Sequence, residues 1–308
     1  MQHERIAAVA VSDTGRVRGH NEDVASISEF QVGGAHYQVW LVADGMGGGI
    51  RGDEASAIAR DEMLATLASD ASANKASDDP VAALLDGIER ANAAVFDLGS
   101  EGGTLSFSRM GTTLVAALVE TATGRHWIVN VGDSRAYLLR EGAATQLTTD
   151  HSLVAEAAEA GLITAEEARR SHRKNVITRA IGIERDVEPE ILGPLELSRD
   201  ERLLLCSDGL HGMIDDGAIG RLAAQGALAD VANRLLQAAN EAGGRDNITV
   251  LIGGREAVGS TELQPDSSAD ESRSSVKGDR RFVRWTVAGL ALAIGLAAAA
   301  TAIVVLAT

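Results

Sequence analysis

LVADGMGGG, residues 41–49, runs an apolar stretch straight into an acid and then into a glycine-rich turn. Leu41, Val42 and Ala43 read as the end of a buried strand. Asp44 follows them, and glycines stand at positions 45, 47, 48 and 49. One turn needs one or two glycines. This density implies a backbone that passes very close to something, and a glycine at 45 lets the main chain approach a ligand without a Cβ in the way. If Asp44 is a ligand rather than a turn residue, acids at other strand ends should share its surroundings.

Such acids are present. Asp133 follows IVNVG, Asp208 follows RLLLCS and precedes Gly209, and Asp246 sits in GGRDNITVL just ahead of an apolar run. Glu22 and Asp23 lie in RGHNED, directly before DVASISEF. Any one of these alone reads as a turn residue that hydrogen-bonds its own backbone. Repeated at strand edges, they suggest carboxylates meeting at one end of the sheets. Such groups repel and resist ionising together, and a divalent cation resolves the conflict. An all-oxygen donor set favours Mg2+ or Mn2+ over zinc, because paired Cys or His at zinc spacing is absent from the sequence.

The bulk numbers fit this reading. A chain of 308 residues with 45% apolar content can build a sizeable core, although aromatics are only 3%. The formal net charge of −16 argues against a nucleic-acid partner held through phosphate contacts. The single cysteine, Cys206, excludes an internal disulfide.

Strand patterns recur in RIAAVAVS, DVASISEF, HYQVWLVAD, TTLVAALVE, RHWIVNVG, RAYLLRE, ERLLLCSD and NITVLIGG. Helical patterns fall at about 52–70, with Asp53 as its cap, and at about 80–98, with Pro80 in the first turn. Two more lie near 152–170 and 226–242. Strands and helices do not alternate regularly. The order predicts an α+β fold, two antiparallel β-sheets in a central sandwich flanked by pairs of α-helices. That domain is expected over 1–254. A Ser- and Asp-rich linker is expected over 255–282. Residues 283–308 are expected to form a C-terminal transmembrane helix, since no residue from Trp285 to Thr308 is charged. As a helix, 285–308 would be roughly 36 Å long, enough to cross a bilayer core of about 30 Å. Lys277, Arg280, Arg281 and Arg284 precede it, so the positive-inside rule keeps that flank cytoplasmic, giving a single-pass anchor in the inner membrane.

The motifs taken in order carry a resemblance. They are GRVRGHNED (15–23), VADGMGGG (42–49), MGTT (110–113), NVGDSRAY (130–137), DHSLV (150–154), NVITRAIG (175–182), LLCSDGL (204–210) and GGRDNITVL (243–251). As an ordered set they resemble the metal-dependent protein phosphatases of the type 2C family, in their bacterial form. The resemblance implies two or three divalent cations, Mn2+ or Mg2+, and hydrolysis of phosphoserine and phosphothreonine by a water that two metals activate. It implies phosphorylated proteins as partners, with a cognate Ser/Thr kinase. By the same resemblance Asp44 bridges two metals and the Gly45 carbonyl binds one. Asp208 and Asp246 bind the other, Glu22 is a ligand, and Asp133 with Asp208 holds a third. Asp23 supports a bound water, and Arg18 holds the substrate phosphate with its guanidinium fork. No acid of this pattern is missing, which speaks against a non-catalytic relative.

Some positions depart from the pattern or stay outside the chemistry. Met46 stands, as in many bacterial members of that family, where animal members often have a histidine, and a thioether cannot donate a proton. His20 is a plain loop residue, with a lesser reading as proton donor. His151 reads as structural, Cys206 as small core packing, and Asn247 as shaping the turn beside Asp246. The insert 150–186 is expected to cover one side of the site and bias which phosphopeptides fit.

Overall fold

The computed structural model describes residues 4–32, 34–47, 51–72, 79–100 and 110–257. In chain order its strands are β1 (Glu4–Asp13), β2 (Asp23–Val32), β3 (Ala35–Met46), β4 (Gly111–Thr112), β5 (Leu114–Glu120), β6 (Arg125–Val131), β7 (Arg135–Arg140), β8 (Ala143–Gln146), β9 (Glu190–Glu196), β10 (Arg202–Cys206) and β11 (Ile248–Ala257). The helices are α1 (Gly52–Ser72), α2 (Pro80–Ser100), α3 (Leu153–Glu159), α4 (Ala165–Arg170), α5 (Asp208–His211), α6 (Asp216–Ala223) and α7 (Leu228–Glu241). One sheet has the order β1-β11-β10-β7-β8 and the other β2-β3-β5-β6-β9, with β4 added beside β3. Every pairing is antiparallel. The expected two-sheet sandwich flanked by helices is present.

The period-2 geometry of a strand explains the layers. On β3, Val39, Leu41 and Ala43 pack with Met63, Leu84, Ile88 and Val95 of α1 and α2. The alternate residues Trp40 and Val42 point the other way, into the space between the sheets, with Val115, Ile128, Leu203, Leu205 and Leu251. On β10, Leu204 and Cys206 face Leu210, Ile219, Val231 and Leu235 of α5–α7. Both faces of these strands are covered, so they read as unbroken apolar runs. Each buried Leu or Val side chain contributes about 1.5–3 kcal/mol. Trp40 fits because position 253 opposite is glycine, where a Cβ would lie 2.3 Å from the indole ring.

Several boundaries differ from the sequence reading. Asp53 does not cap α1. The helix begins at Gly52, and the Asp53 carboxylate accepts from the next amide, Glu54 N–H, at 2.9 Å. Pro80 opens α2 as expected, and the cap is Asp79, which accepts from Val81 and Ala82 N–H at 3.0 and 3.1 Å. The helix expected near 152–170 is broken into α3 and α4 at Gly161, whose φ is +69°. The domain also runs past 254. Residues 255–257 continue β11 and pair with β1, so the strand ladder displaces the start of the expected linker. The rest of that linker and the expected 283–308 anchor lie outside the described residues. Among the described residues no helix is long and apolar enough to cross a membrane.

Candidate metal centre and active site

The sandwich brings the acids to one end. Asp44 lies near the end of β3, and Asp23, the first residue of β2, stands opposite it in register. Asp133 follows β6. From the other sheet, Asp208 opens α5 directly after β10, and Asp246 precedes β11. Glu22, Asp44, Asp133, Asp208 and Asp246 line one open cleft of ≈ 540 Å³, together with Arg18, His20, Gly45 and Met46. Asp23 lies behind this wall, 7% exposed. Every acid singled out in the sequence is therefore at this end of the fold.

Hydroxyls and amides fix the acids. Thr113 ties the Asp44 backbone at both ends. Its Oγ1 accepts from Asp44 N–H at 3.0 Å, and its N–H donates to the Asp44 carbonyl at 2.9 Å. The Thr112 hydroxyl donates to the same carbonyl at 2.9 Å. Ser207 Oγ donates to Asp23 Oδ2 at 2.7 Å, joining the two sheets. Asn247 organises the loops, accepting from Glu22 N–H at 2.9 Å and donating to the Thr14 and His20 carbonyls at 2.9 and 2.8 Å. It shapes the turn, as its sequence position suggested.

Packing by itself requires a glycine at position 45. A Cβ there would lie 2.1 Å from the Gly52 carbonyl oxygen and 2.7 Å from that of Glu22. The strand end is pressed against the start of α1, and Gly45 N–H donates to the Glu22 carbonyl at 3.2 Å. Gly209 repeats the device, where a Cβ would meet the Asn247 carbonyl oxygen at 1.9 Å. The glycines thus draw the acid-bearing loops together. Gly48 and Gly49 lie outside the described residues.

The electrostatics follow from crowding. Burial pushes the Asp44 carboxyl well above the usual carboxylate range, and the charges of Asp23, Asp208 and Asp133 push it further. Asp208 is raised to about 8, by burial first and then by Asp133 and Asp246. Burial raises Asp133 to about 6, with Asp150 adding to it. Asp23 also rises to about 6, chiefly by burial. Two carboxylate oxygens, Asp23 Oδ1 and Asp208 Oδ1, are buried without a hydrogen-bond partner. Partnerless buried oxygens, in a group whose charges repel, fit hard divalent cations. Among the described residues no three His, Cys, Asp or Glu side chains converge tightly enough to hold one ion by themselves. That spacing suits ions taking one or two carboxylates each, completed by water.

Arg18 lines the cleft and is paired with one of its acids. Its Nη2 donates to Asp246 Oδ2 at 2.7 Å, and the charges of Glu22 and Asp44 also favour its cationic form. The rest of the fork forms no other hydrogen bond among the described residues, and five N–H donors are available to a guanidinium.

Two histidines matter more than their sequence context showed. His211 is half-buried, and its ring Nε2 donates to the Asp133 carbonyl at 3.0 Å, which sets the tautomer. Burial lowers its pKa to about 3, so it is neutral. His151 is structural. Its Nδ1 accepts from Gly132 N–H at 3.1 Å, while its own N–H donates to the Gly132 carbonyl at 2.9 Å. Together they clamp the loop carrying Asp133. The signal for His211 exists only in the folded chain. Cys206 is buried on β10, and burial pushes its thiol far up, away from any nucleophilic role.

The chain belongs to the protein phosphatase 2C family, whose model matches residues 42–248. Within it, the chain is a serine/threonine phosphatase of the bacterial kind. It is 40% identical over 247 residues to the serine/threonine phosphatase stp of Listeria monocytogenes serotype 4b, covering 78% of this chain and 92% of that one. The crystal structure of the Mycobacterium tuberculosis serine/threonine phosphatase PstP/Ppp matches with a TM-score of 0.69 and 34% identity, over 81% of this chain and 98% of that one. A structure of the PstP catalytic domain in complex with two manganese ions matches with a TM-score of 0.67 and 33% identity, over 82% and 99% of the two chains.

Proposed function

We propose that this chain hydrolyses phosphoserine and phosphothreonine in proteins, using two or three Mn2+ or Mg2+ ions held by the acid cluster. The observation that carries this is the meeting of Asp44, Asp133, Asp208 and Asp246, drawn from both sheets, in one cleft beside Arg18. Asp44, Asp208, Asp246 and Glu22, with the Gly45 carbonyl, would hold two ions, and Asp133 with Asp208 a third. When bound, the ions supply an activated water and neutralise charge on the phosphoryl oxygens. The protein does the rest by position. Arg18 binds the phosphoryl oxygens with the free part of its fork. Asp23, fixed by Ser207, orients water at the back of the cluster. Thr112 and Thr113 hold the Asp44 backbone still. Met46 lines the cleft and has no proton to give, so water in the open cleft protonates the leaving oxygen.

The charge-free stretch 285–308 and the cations ahead of it support a single-pass anchor in the inner membrane, with the catalytic domain in the cytoplasm. A phosphatase so placed would oppose a cognate Ser/Thr kinase.

Hydrolysis of p-nitrophenyl phosphate and of a phosphothreonine peptide tests the chemistry. Turnover should require Mn2+ or Mg2+, vanish with a chelator and return when metal is restored. Turnover indifferent to chelation would refute the metal reading. Fractionation of cells expressing the chain with and without 283–308 tests the anchor. A truncated protein that stays in the membrane fraction would refute it.

A further inference from the structure

Residues 169–174 read Arg-Arg-Ser-His-Arg-Lys, a run of cations in a chain whose formal net charge is −16. The run closes the insert that carries α3 and α4, and its backbone is defined. Arg173 N–H donates to Ser171 Oγ at 3.1 Å, and Val176 N–H donates to the Arg173 carbonyl at 3.1 Å. The next residues are pinned to the start of the insert. Leu153 N–H donates to the Val176 carbonyl, and Thr178 N–H to the His151 carbonyl, each at 2.9 Å. Asn175 and Ile177 then line the acid cleft itself. Lys174 therefore adjoins a wall residue in the chain, and Arg173 stands two residues from it.

Charge on the insert is sorted by position. Glu156, Glu159, Glu166 and Glu167 lie in α3 and α4, ahead of the basic run. Arg170 is already taken, since its guanidinium meets Glu166 at 2.7 Å one helical turn back. Arg173 and Lys174 are exposed and form no ion pair among the described residues. Support for α4's carbonyl end does not account for them, because Arg170 sits in the last turn and they lie beyond it.

A cleft walled by carboxylates repels an anionic substrate on approach. Unpaired cations on its lip reverse that field where the chain flanking the phosphorylated residue must pass. We propose that Arg173 and Lys174 form a docking lip for the anionic flank of a phosphorylated segment, whether that flank carries carboxylates or a second phosphate. This rests on the phosphatase reading above and adds which substrates that site prefers.

The test uses the full chain with Mn2+, the variant R173E/K174E, and three phosphothreonine peptides alike except for a neutral, an acidic or a second-phosphate flank. Fluorescence anisotropy on slowly hydrolysed thiophosphate versions reads affinity, and p-nitrophenyl phosphate turnover reads the chemistry. The wild type should bind the anionic flanks about five- to tenfold more tightly than the neutral one at low salt, with the gap shrinking as salt rises. The variant should lose that gap while p-nitrophenyl phosphate turnover stays unchanged. Whichever anionic flank binds more tightly identifies the source of the charge. A gap that survives in the variant, or is absent from the wild type, overturns the lip. So does equal loss of small-substrate turnover in the variant. Flank-dependent binding without turnover in the wild type would instead sink the phosphatase reading and leave the lip standing.

Discussion

Ser207 reaches from the end of one sheet and donates its hydroxyl to Asp23 on the other, at 2.7 Å, both groups being buried. The same oxygen accepts from Thr249 N–H at 3.0 Å. Replacing Ser207 with alanine removes a hydroxyl donor from buried Asp23 and the acceptor of the buried Thr249 amide. Ser207→Ala should cost about 1–3 kcal/mol. At roughly 2–4 °C per kcal/mol for a domain of this size, calorimetry should show a clear drop in the midpoint. A midpoint within a degree of wild type would mean the link contributes nothing.

Asp208→Asn should separate stability from activity. Its carboxyl is held at about 8 by burial and by Asp133 and Asp246, so near pH 8 its charge works against the fold when metal is absent. The amide removes that charge at nearly constant shape. We expect turnover to fall by about a hundredfold or more, while the metal-free variant melts above the metal-free wild type. A variant that is both inactive and less stable without metal would count against a strained acid cluster.

Two kinds of group set the pH dependence of the chelated protein, in opposite directions. Asp208, raised to about 8, and Asp44, raised well above its usual range, keep protons in the folded chain that the unfolded chain releases near pH 4. The folded state then binds more protons, so stability falls as pH rises through that window. His211, lowered to about 3, acts oppositely. Below about pH 6.5 the unfolded chain binds a proton that the folded chain refuses, so its contribution to stability falls as pH drops. Between about pH 4 and 6.5 the two acids outweigh the one histidine, so the chelated chain should lose stability gradually from pH 4.5 and more steeply above pH 6.5, where the histidine no longer offsets them. Added Mn2+ should rescue stability far more above pH 6.5 than at pH 4.5, because metal competes with protons for the carboxylates. Thermal midpoints from pH 4.5 to 8.5, with and without metal, test this. A metal-free midpoint that keeps climbing to pH 8.5 would contradict it.

Gly45→Ala should be severe although it adds one methyl group. The new carbon would sit 2.1 Å from the Gly52 carbonyl oxygen, backbone against backbone, where neither side can rotate away. Overpacking of this kind costs about 1–3 kcal/mol and often more. The displaced loop carries Asp44 and Glu22, so Mn2+ affinity measured by calorimetry should weaken with it. Wild-type affinity in a folded Gly45→Ala protein would show that the contact relaxes freely.

The acids were legible in the sequence because each combines a local sign, an apolar strand, with a glycine or asparagine beside it. Asp44, Asp208 and Asp246 needed no tertiary information to be noticed. The strands bearing them were legible for the same reason, being buried on both faces. β9 was not. Its sequence EILGPLE holds a proline and a glycine and is only half-buried at the sheet edge. Nor was α6, whose eight residues include two glycines, although Asp215 caps it at 2.7 Å. His211 and Ser207 had no sequence signal, since their partners lie 78 and 184 residues away. The packing demand on Gly45 had no sequence signal, because the obstacle, the Gly52 carbonyl, is set by tertiary packing.

In its sheet β1 neighbours only β11, the last strand of the domain, which also joins it to β10. A growing chain therefore leaves its first strand unmatched until residues 248–257 have been made. Asp246 arrives with that closing strand. An incomplete nascent molecule thus lacks both a finished sheet and a finished acid cluster, so dephosphorylation begins only once assembly has ended.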